Sequence, residues 1–273
     1  MYKRMNEQLQ TEGAMALVTG ASSGIGLAYA RELARRGYDL LLVSNEQERI
    51  GTVAEELAAA FGVKTIPLCM DLARSEAARE LYDYCEREKL QIGILVNNAG
   101  IFFFDDLTEV APERIETMLL LHIRTVTLLC RYFGAAMKRR RAGYILNMSS
   151  LSAWTPAPGI SVYAASKSYI RKFSQMLRYE LHQYGVGVTT VCPGAIATGL
   201  YNLSDYYQRL ALRLGVMMKP ERLARKGLRA MFARRDYILP GAVNRFFVLA
   251  LYLLPVQLIY NIKEHTKLYR YGR

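Results

Sequence analysis

A repeated unit constrains the fold of this chain more than any other feature of its sequence. Over roughly the first 200 residues, short apolar runs alternate with glycine-containing turns and amphipathic stretches. The pattern predicts strands over 14–18, 40–43, 63–69, 92–96, 144–148 and 186–191, and helices over 26–36 and 48–61. Gly37 and Gly62 follow the two helices, a placement typical of helix ends.

Strands that alternate with helices imply parallel crossovers, which place helices on both faces of one sheet. We therefore predict an α/β fold with a doubly wound parallel sheet of the Rossmann type. After Pro193 the strand signals weaken, so the C-terminal extension is predicted to be mainly helical. No low-complexity linker divides the chain, and residues 1–273 are expected to form a single domain.

The composition excludes several classes of protein. Hydrophobic residues make up 52% of the chain and charged residues 22%, which is typical of a globular protein and not of a disordered one. The four cysteines and three histidines are scattered, so we predict neither a metal site nor a disulfide framework. The polar N terminus lacks the apolar run of a secretory signal, and we expect a cytoplasmic location.

The net charge of +12 raises the question of a nucleic-acid partner, but no nucleic-acid-binding motif accompanies it and we expect none. From Tyr201 onward, 14 basic residues stand against four acidic ones, so most of the excess is C-terminal. Beside them, residues 246–262 carry no charge and contain Pro255. Three alternatives fit this segment: peripheral contact of residues 245–273 with a membrane surface, a cap over a substrate pocket, and a homodimer interface.

The sequence TGASSGIG over residues 19–26 falls where a strand is predicted to end and a helix to begin. Three glycines allow a tight turn and a close approach of the backbone, and the helix N terminus offers N–H groups to a pyrophosphate. This placement predicts a dinucleotide site. The residues expected to contact the nucleotide here are Gly20, Ser22, Ser23, Gly24, Ile25 and Gly26.

Residues after the second and third strands bear on the choice of cofactor. A carboxylate after the second strand would bind a ribose 2′-OH and repel a 2′-phosphate, but the chain has Ser44 and Asn45 there. This favours NADP(H) over NAD(H), although no arginine stands at the strand end. Asp71, followed by Leu72, is placed either to bind adenine or to cap the helical stretch 72–78.

Tyr163 and Lys167 lie one helical turn apart in the sequence YAASK. An ammonium group beside a phenol favours the phenolate and lowers a pKa that is ordinarily about 10. The pair is therefore a candidate acid and base for interconverting a carbonyl and an alcohol. Ser149 and Ser150 close the preceding strand, where a hydroxyl group can bind the same substrate oxygen. An ordinary surface tyrosine and lysine is the alternative for an isolated YxxxK.

Five motifs in one order resemble the short-chain dehydrogenase/reductase family over about residues 14–200: TGASSGIG, NNAG at 97–100, the two serines, YAASK and PGAIAT at 193–198. The resemblance implies a Rossmann-type sheet that binds NAD(P), with hydride passing between the nicotinamide and a substrate carbon. It also implies that residues 14–200 form the cofactor-binding and catalytic core, and that residues 201–273 form a substrate-capping segment.

The resemblance assigns a role to individual residues. Tyr163 is similar to the family's acid/base, Lys167 to the residue that depresses its pKa and holds the nicotinamide ribose, and Ser150 to the substrate-orienting serine. Cofactor contacts are also implied for Asn98, Ala99 and Gly100 beside the adenosine ribose, and for Pro193, Gly194, Ile196 and Thr198 around the carboxamide and pyrophosphate.

His122 stands where the family has an asparagine that helps to hold a water leading to the catalytic lysine. Imidazole can donate and accept hydrogen bonds, so a proton-relay role for His122 is one hypothesis. A hydrogen-bonded core histidine is the other.

Apolar residues around the expected substrate mouth indicate the kind of substrate. They are residues 101–104, Trp154 in its loop, and residues 200–218. Such a lining suits a bulky hydrophobic ketone or alcohol, such as a steroid, a 3-ketoacyl derivative or a long-chain ketone. We predict an NAD(P)-dependent oxidoreductase that forms a homodimer or homotetramer. The alternative is a non-catalytic nucleotide-binding relative acting as a membrane-associated or scaffold protein.

Overall fold

A computed structural model describes residues 13–155, 158–197, 217–241, 243, 244, 246 and 248. Its strands are β1 (Met15–Thr19), β2 (Leu40–Ser44), β3 (Thr65–Cys69), β4 (Ile92–Asn97), β5 (Gly143–Met148), β6 (Val186–Val191), β7 (Ala195–Ile196), β8 (Met217–Met218) and β9 (Tyr237–Ile238). Seven of them form one sheet in the order β3-β2-β1-β4-β5-β6-β9. Every neighbouring pair is parallel, so the predicted doubly wound sheet is confirmed.

Helices cover both faces of this sheet. They are α1 (Gly24–Ala34), α2 (Gln47–Phe61), α3 (Ala77–Arg87), α4 (Pro112–Leu119), α5 (Val126–Arg140), α6 (Ser161–His182) and α7 (Pro220–Phe232). Side chains of a strand alternate between the faces: in β1, Ala16 and Val18 join the core under α1, α2 and α7, whereas Met15 and Leu17 join the core under α3, α5 and α6. Because helices cover both faces, the apolar runs of β1, β2, β4, β5 and β6 are buried throughout, whereas the edge strand β3 is only partly buried.

The segment after the third strand differs from the prediction. The helical stretch predicted over 72–78 is a turn at its start, and α3 begins only at Ala77. The Asp71 carboxylate accepts a hydrogen bond from the Ala73 N–H at 2.9 Å, which closes a local turn in place of a helix start. Leu72 remains buried in the core.

The described part of the C-terminal extension is built into the central layers. β8 pairs with β7, and β9 extends the main sheet beside β6, with Thr190 opposite Tyr237. α7 is helical as expected and packs against α1. The sequence patterns did not reveal β8 and β9 because each has only two residues.

No helix among the described residues combines the length and the hydropathy that a bilayer crossing requires. The segment 245–273 lies outside the described residues except for 246 and 248. The three alternatives for that segment therefore stay predictions.

Close packing between α1 and α7 depends on Gly227. A Cβ atom at Gly227 would collide with the hydroxyl oxygen of Tyr29, whose ring is wholly buried. That oxygen has no hydrogen-bond partner among the described residues, and burial raises the pKa of Tyr29. The contact between Tyr29 and Gly227 therefore depends on close packing, and the Tyr29 hydroxyl group adds little to the free energy of unfolding.

We expect Gly227→Ala to lower the free energy of unfolding by about 1–3 kcal/mol, because the added methyl group overpacks this contact. Tyr29→Phe removes the colliding atom and is expected to stay within about 1 kcal/mol of the parent. Combined with Gly227→Ala, it should recover part of the loss. Urea denaturation of the parent, both single variants and the double variant measures this; additive losses would contradict it.

Candidate active site

The site forms at the carboxyl edge of the sheet, where the crossovers leave β1 and β4 in opposite directions. β1 lies beside β4, with Val18 opposite Val96, and chain connections run from β1 toward β2 and from β4 toward β5. Such a switch point opens a crevice between the two following loops, and ligands of doubly wound folds bind there.

Three glycines in the loop between β1 and α1 and at the start of α1 occupy positions that disfavour a side chain. Gly20 and Gly24 have φ values of +64° and +54°, a conformation that favours glycine. A Cβ atom at Gly26 would collide with the Gly20 carbonyl oxygen, so α1 packs directly on the loop. The Ser23 side chain does not cap the N terminus of α1, and Ser23 and Gly24 line the adjoining cavity. This arrangement fits a pyrophosphate held by backbone N–H groups.

A cavity of about 740 Å³ extends from this loop across the ends of β2, β3 and β4. Most of the residues predicted to bind cofactor line it, which supports its assignment as the dinucleotide cavity: Gly20, Ser22, Ser23, Gly24, Ile25, Ser44, Asn45, Asp71, Leu72, Asn98, Ala99 and Gly100. The residues present therefore fit a dinucleotide in size and in polar character.

A second cavity of about 70 Å³, which we name the reaction cavity, adjoins the first and shares Asn98 and Gly100 with it. It brings together three of the predicted catalytic residues, Ser150, Tyr163 and Lys167, with Ser149 and with Pro193, Gly194 and Ile196 of the loop after β6. Residues of separate motifs, among them Asn98 and Tyr163, are thus brought together. Thr198 lies outside the described residues.

Lys167 is buried on α6 and donates a hydrogen bond from Nζ to the Met148 carbonyl oxygen at 3.1 Å. Its Nζ lies 5.5 Å from the centroid of the Tyr163 ring. Burial lowers the pKa of Lys167 from 10.5 to about 8, and the Cys192 thiol opposes this only in part. The structure therefore places a positive charge beside the phenol at the expense of stability.

The two serines have different surroundings. The Ser149 hydroxyl group is buried and donates to the Lys167 carbonyl oxygen at 2.7 Å, which fixes α6 against the end of β5. The Ser150 hydroxyl oxygen accepts from the Ser152 N–H at 3.1 Å, so its own proton can still be donated. Ser150 is therefore the serine able to orient a substrate oxygen.

His122 lies behind Gly100 and is 0% exposed. Its Nε2 accepts from the Ile101 N–H at 3.1 Å, and its Nδ1 lies 2.9 Å from the Ser166 Oγ. Burial, and then the Lys167 ammonium group, lower the pKa of His122 well below its ordinary value. The described linings of the two cavities do not include this imidazole.

Thr19 was not singled out from the sequence, yet it joins the two halves of the crevice. Its Oγ1 accepts from the N–H groups of Asn98 at 2.9 Å and Ala99 at 3.0 Å, and donates to the Val96 carbonyl oxygen at 3.3 Å. The threonine that opens TGASSGIG was the available signal, because it ends β1 at the switch point.

Arg49 is a second residue that the sequence analysis missed. It lines the dinucleotide cavity, and its Nε donates to the Ser22 carbonyl oxygen at 2.8 Å. Side chains of a helix tilt toward its N terminus, so an arginine in the first turn of α2 can reach back over the end of β2. The signal in the sequence is therefore an arginine in the first turn of the helix that follows β2, and not one at the end of the strand.

The expected substrate mouth is only partly reproduced. The Phe102 ring stands edge-on to Tyr163, with ring centroids 5.0 Å apart, and the Asp105 N–H donates to the Gly159 carbonyl oxygen at 2.8 Å. The Trp154 ring instead packs under the Arg171 guanidinium group at 4.0 Å and does not line either cavity. Of residues 200–218, only Met217 and Met218 are described.

One contact links the C-terminal segment to the reaction cavity. A Cβ atom at Gly194 would lie 2.6 Å from both end atoms of the Asn244 side chain. Asn244 in turn donates to the Pro240 carbonyl oxygen at 2.8 Å. The residues just before the uncharged run therefore rest on the loop that follows β6.

Comparison with known proteins gives the family. The family model for short chain dehydrogenases matches residues 14–205. The chain belongs to the short-chain dehydrogenase/reductase family. A very-long-chain 3-oxoacyl-CoA reductase of Anas platyrhynchos is 37% identical over 199 residues, 70% of this chain and 62% of the relative. The 17-beta-hydroxysteroid dehydrogenase type 3 of Mus musculus is 35% identical, over 70% of this chain and 62% of that one.

Solved structures of short-chain dehydrogenases share the fold. One from Sphingobium yanoikuyae in complex with NADPH is 30% identical with a TM-score of 0.76, covering 87% of this chain and 92% of that one. The bulky-bulky ketone specific alcohol dehydrogenase of Comamonas testosteroni is 26% identical with a TM-score of 0.74, covering 93% and 94%. The chain spans about three fifths of the length of the curated relatives that it matches.

The burial of Lys167 predicts that this lysine lowers the folding stability of the protein. Below pH 8 the ammonium group is charged in both the folded and the unfolded state, so the folded state carries its whole desolvation cost. We expect Lys167→Met to raise the free energy of unfolding at pH 7 by about 1–2 kcal/mol, after the loss of the hydrogen bond to Met148.

The advantage of the variant should shrink as the pH rises from 8 to 10.5, because the folded parent releases the lysine proton before the unfolded chain does. Urea denaturation at pH 7, 9 and 10.5 measures this, with Lys172→Met as the control for losing an exposed lysine of the same helix. A constant difference, or a less stable variant at pH 7, would show the account of Lys167 to be wrong.

Proposed function

We propose that this protein is an NADP(H)-dependent oxidoreductase that interconverts a bulky hydrophobic ketone and the corresponding secondary alcohol. The observation that carries the proposal is the reaction cavity, in which Ser150, Tyr163 and Lys167 meet beside the dinucleotide cavity. A purely structural tyrosine and lysine would not need a buried ammonium group at that junction.

In the direction of reduction, the Tyr163 hydroxyl group donates its proton to the substrate carbonyl oxygen. The Ser150 hydroxyl group donates a hydrogen bond to the same oxygen and holds it within reach. The Lys167 ammonium group favours the phenolate that Tyr163 becomes. When bound, the nicotinamide supplies the hydride to the carbonyl carbon. Gly194, Ile196 and Pro193 form the wall on which the carboxamide end would rest.

The substrate class rests on the apolar wall and on the relatives. Ile25, Ile101 and Ile196 line the reaction cavity. Phe102 packs against the Tyr163 ring and Phe103 is buried in the same cluster, so apolar side chains surround the tyrosine. The matched relatives are named as reductases of very-long-chain 3-oxoacyl-CoA and as hydroxysteroid dehydrogenases. We propose a ketone with a long or polycyclic hydrocarbon body, of the 3-ketoacyl or steroid kind.

Tyr163→Phe tests the reaction. We expect turnover of a long-chain 3-ketoacyl-CoA or a 17-ketosteroid to fall by at least about a hundredfold, because the proton donor is lost, while the Kd for NADPH changes little. Absorbance of the reduced nicotinamide follows turnover, and fluorescence follows binding. Tyr169→Phe, on the same helix but half-exposed and bonded to Thr127, is the matched control. Parent-level turnover by Tyr163→Phe would refute the proposal.

The preference for NADP(H) is proposed from Arg49. With its Nε bound to Ser22, the guanidinium group lies in the dinucleotide cavity beside Ser44 and Asn45, where the adenosine ribose would rest. The two terminal nitrogens carry the geometry that binds phosphate oxygens in pairs. The structural relative from Sphingobium yanoikuyae was solved with NADPH.

Arg49→Gln should weaken NADPH binding by about 10- to 100-fold and leave NADH binding nearly unchanged, since only NADPH carries the 2′-phosphate. Fluorescence titration with each dinucleotide gives the two Kd values. Arg31→Gln removes the same charge from the far end of α1 and controls for general electrostatics. An equal loss for both dinucleotides would exclude 2′-phosphate recognition by Arg49.

A non-catalytic, nucleotide-binding role is the second candidate. One observation favours it: the human relative named inactive hydroxysteroid dehydrogenase-like protein 1 is 33% identical over 202 residues. Two results together would support this candidate. The parent protein would show no turnover, and it would bind NADPH with the same Kd as the Tyr163→Phe variant. Homo-oligomer formation and peripheral membrane contact through residues 245–273 stay proposals, supported by the basic and apolar composition of that segment.

A further inference from the structure

A chain of hydrogen bonds runs from the loop after β4 to the catalytic tyrosine through His122. The Ile101 N–H donates to Nε2 of His122 at 3.1 Å, and Nδ1 lies 2.9 Å from the Ser166 Oγ. The Ser166 hydroxyl group donates to the backbone carbonyl oxygen of Tyr163 at 2.7 Å. His122 and Ser166 are both 0% exposed, so water does not compete for these bonds.

The direction of each bond fixes the tautomer of the imidazole. A backbone N–H only donates, so Nε2 of His122 is the acceptor and carries no proton. The hydroxyl proton of Ser166 is directed at Tyr163, so its oxygen accepts from an Nδ1–H group. A neutral imidazole satisfies the whole chain and uses both of its nitrogens. Protonation of Nε2 would break the bond from Ile101.

The surroundings of His122 oppose a positive charge on it. A Cβ atom at Gly100 would lie 2.9 Å from Nε2 and 3.7 Å from Nζ of Lys167, so the imidazole and the ammonium group flank the same glycine. The Tyr163 ring stands edge-on to the imidazole, with centroids 5.8 Å apart. The titratable groups that face the ring are thus a cation and a phenol.

The position of His122 in the fold lets its hydrogen bonds connect the loop after β4 with α6. It lies in a single π-helical turn, Leu120–Thr125, between α4 and α5, and it bonds both to the loop that lines the dinucleotide cavity and to the first turns of α6. Irregular turns of this kind recur at functional sites. Two elements that carry opposite sides of the reaction cavity are joined through one ring.

We propose that His122 is a positioning residue: it holds the loop 98–101 at a fixed distance from the first turn of α6, and so sets Tyr163 against the cofactor without passing a proton itself. The catalytic consequence rests on the proposed function, whereas the hydrogen-bond chain does not. His122 acts on the position of Tyr163 through the hydrogen bond of Ser166 to the Tyr163 backbone. His122 and Ser166 therefore act as one unit.

The rate test compares His122→Phe, Ser166→Ala and the double variant at saturating NADPH and ketone. Each single variant should lower kcat by about tenfold through misplacement of Tyr163. The double variant should be no slower than the slower single variant, since each of the three variants interrupts the same series of hydrogen bonds. The loss should be the same factor at every pH. Ser174→Ala, a buried serine on α6 that bonds Asn147 instead, should keep the parent kcat.

Two rate results would overturn the proposal. One is parent-level kcat in folded Ser166→Ala, which remains informative even where His122→Phe fails to fold. The other is a loss in His122→Phe confined to one limb of the pH profile, which would assign proton transfer to the imidazole.

Nitrogen NMR of protein labelled with ¹⁵N-histidine tests the hydrogen-bond chain without any turnover. The protein has three histidines. The His122 signals are those that disappear from the spectrum of His122→Phe. We expect a neutral ring protonated at Nδ1 between pH 5.5 and 8.5. A charged ring or an Nε2–H tautomer in that range would refute the His122 proposal alone, whereas failure of the parent to reduce any ketone would count against the proposed function.

Discussion

The junction of β1 and β4, held by the Thr19 hydroxyl group, is the constraint on which the rest of the site depends. That one group accepts from the N–H groups of Asn98 and Ala99 and so fixes the loop after β4 against the glycine loop after β1. Both walls of the dinucleotide cavity are defined by this contact. Removal of the acceptor would leave two N–H groups without their partner at the centre of the crevice.

The catalytic side is built outward from the same loop. Ile101, which follows it, donates to His122, and Gly100 leaves room for the imidazole and for the Lys167 ammonium group. Ser149 and the Met148 carbonyl oxygen then hold Lys167 against β5. Hydrogen bonds therefore fix both sides of the site around the buried Lys167 ammonium group. In the proposed reaction this cation acts on Tyr163, a common compromise between stability and activity.

Much of this arrangement could be predicted from the sequence because the information is local. The buried strands are continuous apolar runs, and three of the motifs stand at strand ends, so parallel order alone brings Gly20, Asn98 and Ser150 to one edge. The start of α3 could not be predicted, because a single side-chain bond from Asp71 decides it. β9 gave no signal, since two residues show no periodicity.

The remaining features depend on side-chain direction and on contacts distant in sequence. Arg49 reaches the cavity by folding back from α2, and Ser166 matters only because His122 stands beside it. Trp154 was expected at the substrate mouth because its loop is apolar, but its ring packs against the Arg171 guanidinium group. Such pairings are decided by three-dimensional packing, and a linear pattern does not contain them.

Hydride transfer to a ketone in the reaction cavity is the central claim of the proposed function. Incubation of the protein with NADPH deuterated at both C4 positions and a long-chain 3-ketoacyl-CoA, followed by mass spectrometry of the product, tests it most directly. We predict an alcohol that carries one deuterium on the former carbonyl carbon, and none from the Tyr163→Phe variant. Unchanged ketone from the parent protein with that substrate and with a 17-ketosteroid, despite saturable NADPH binding, would contradict the account.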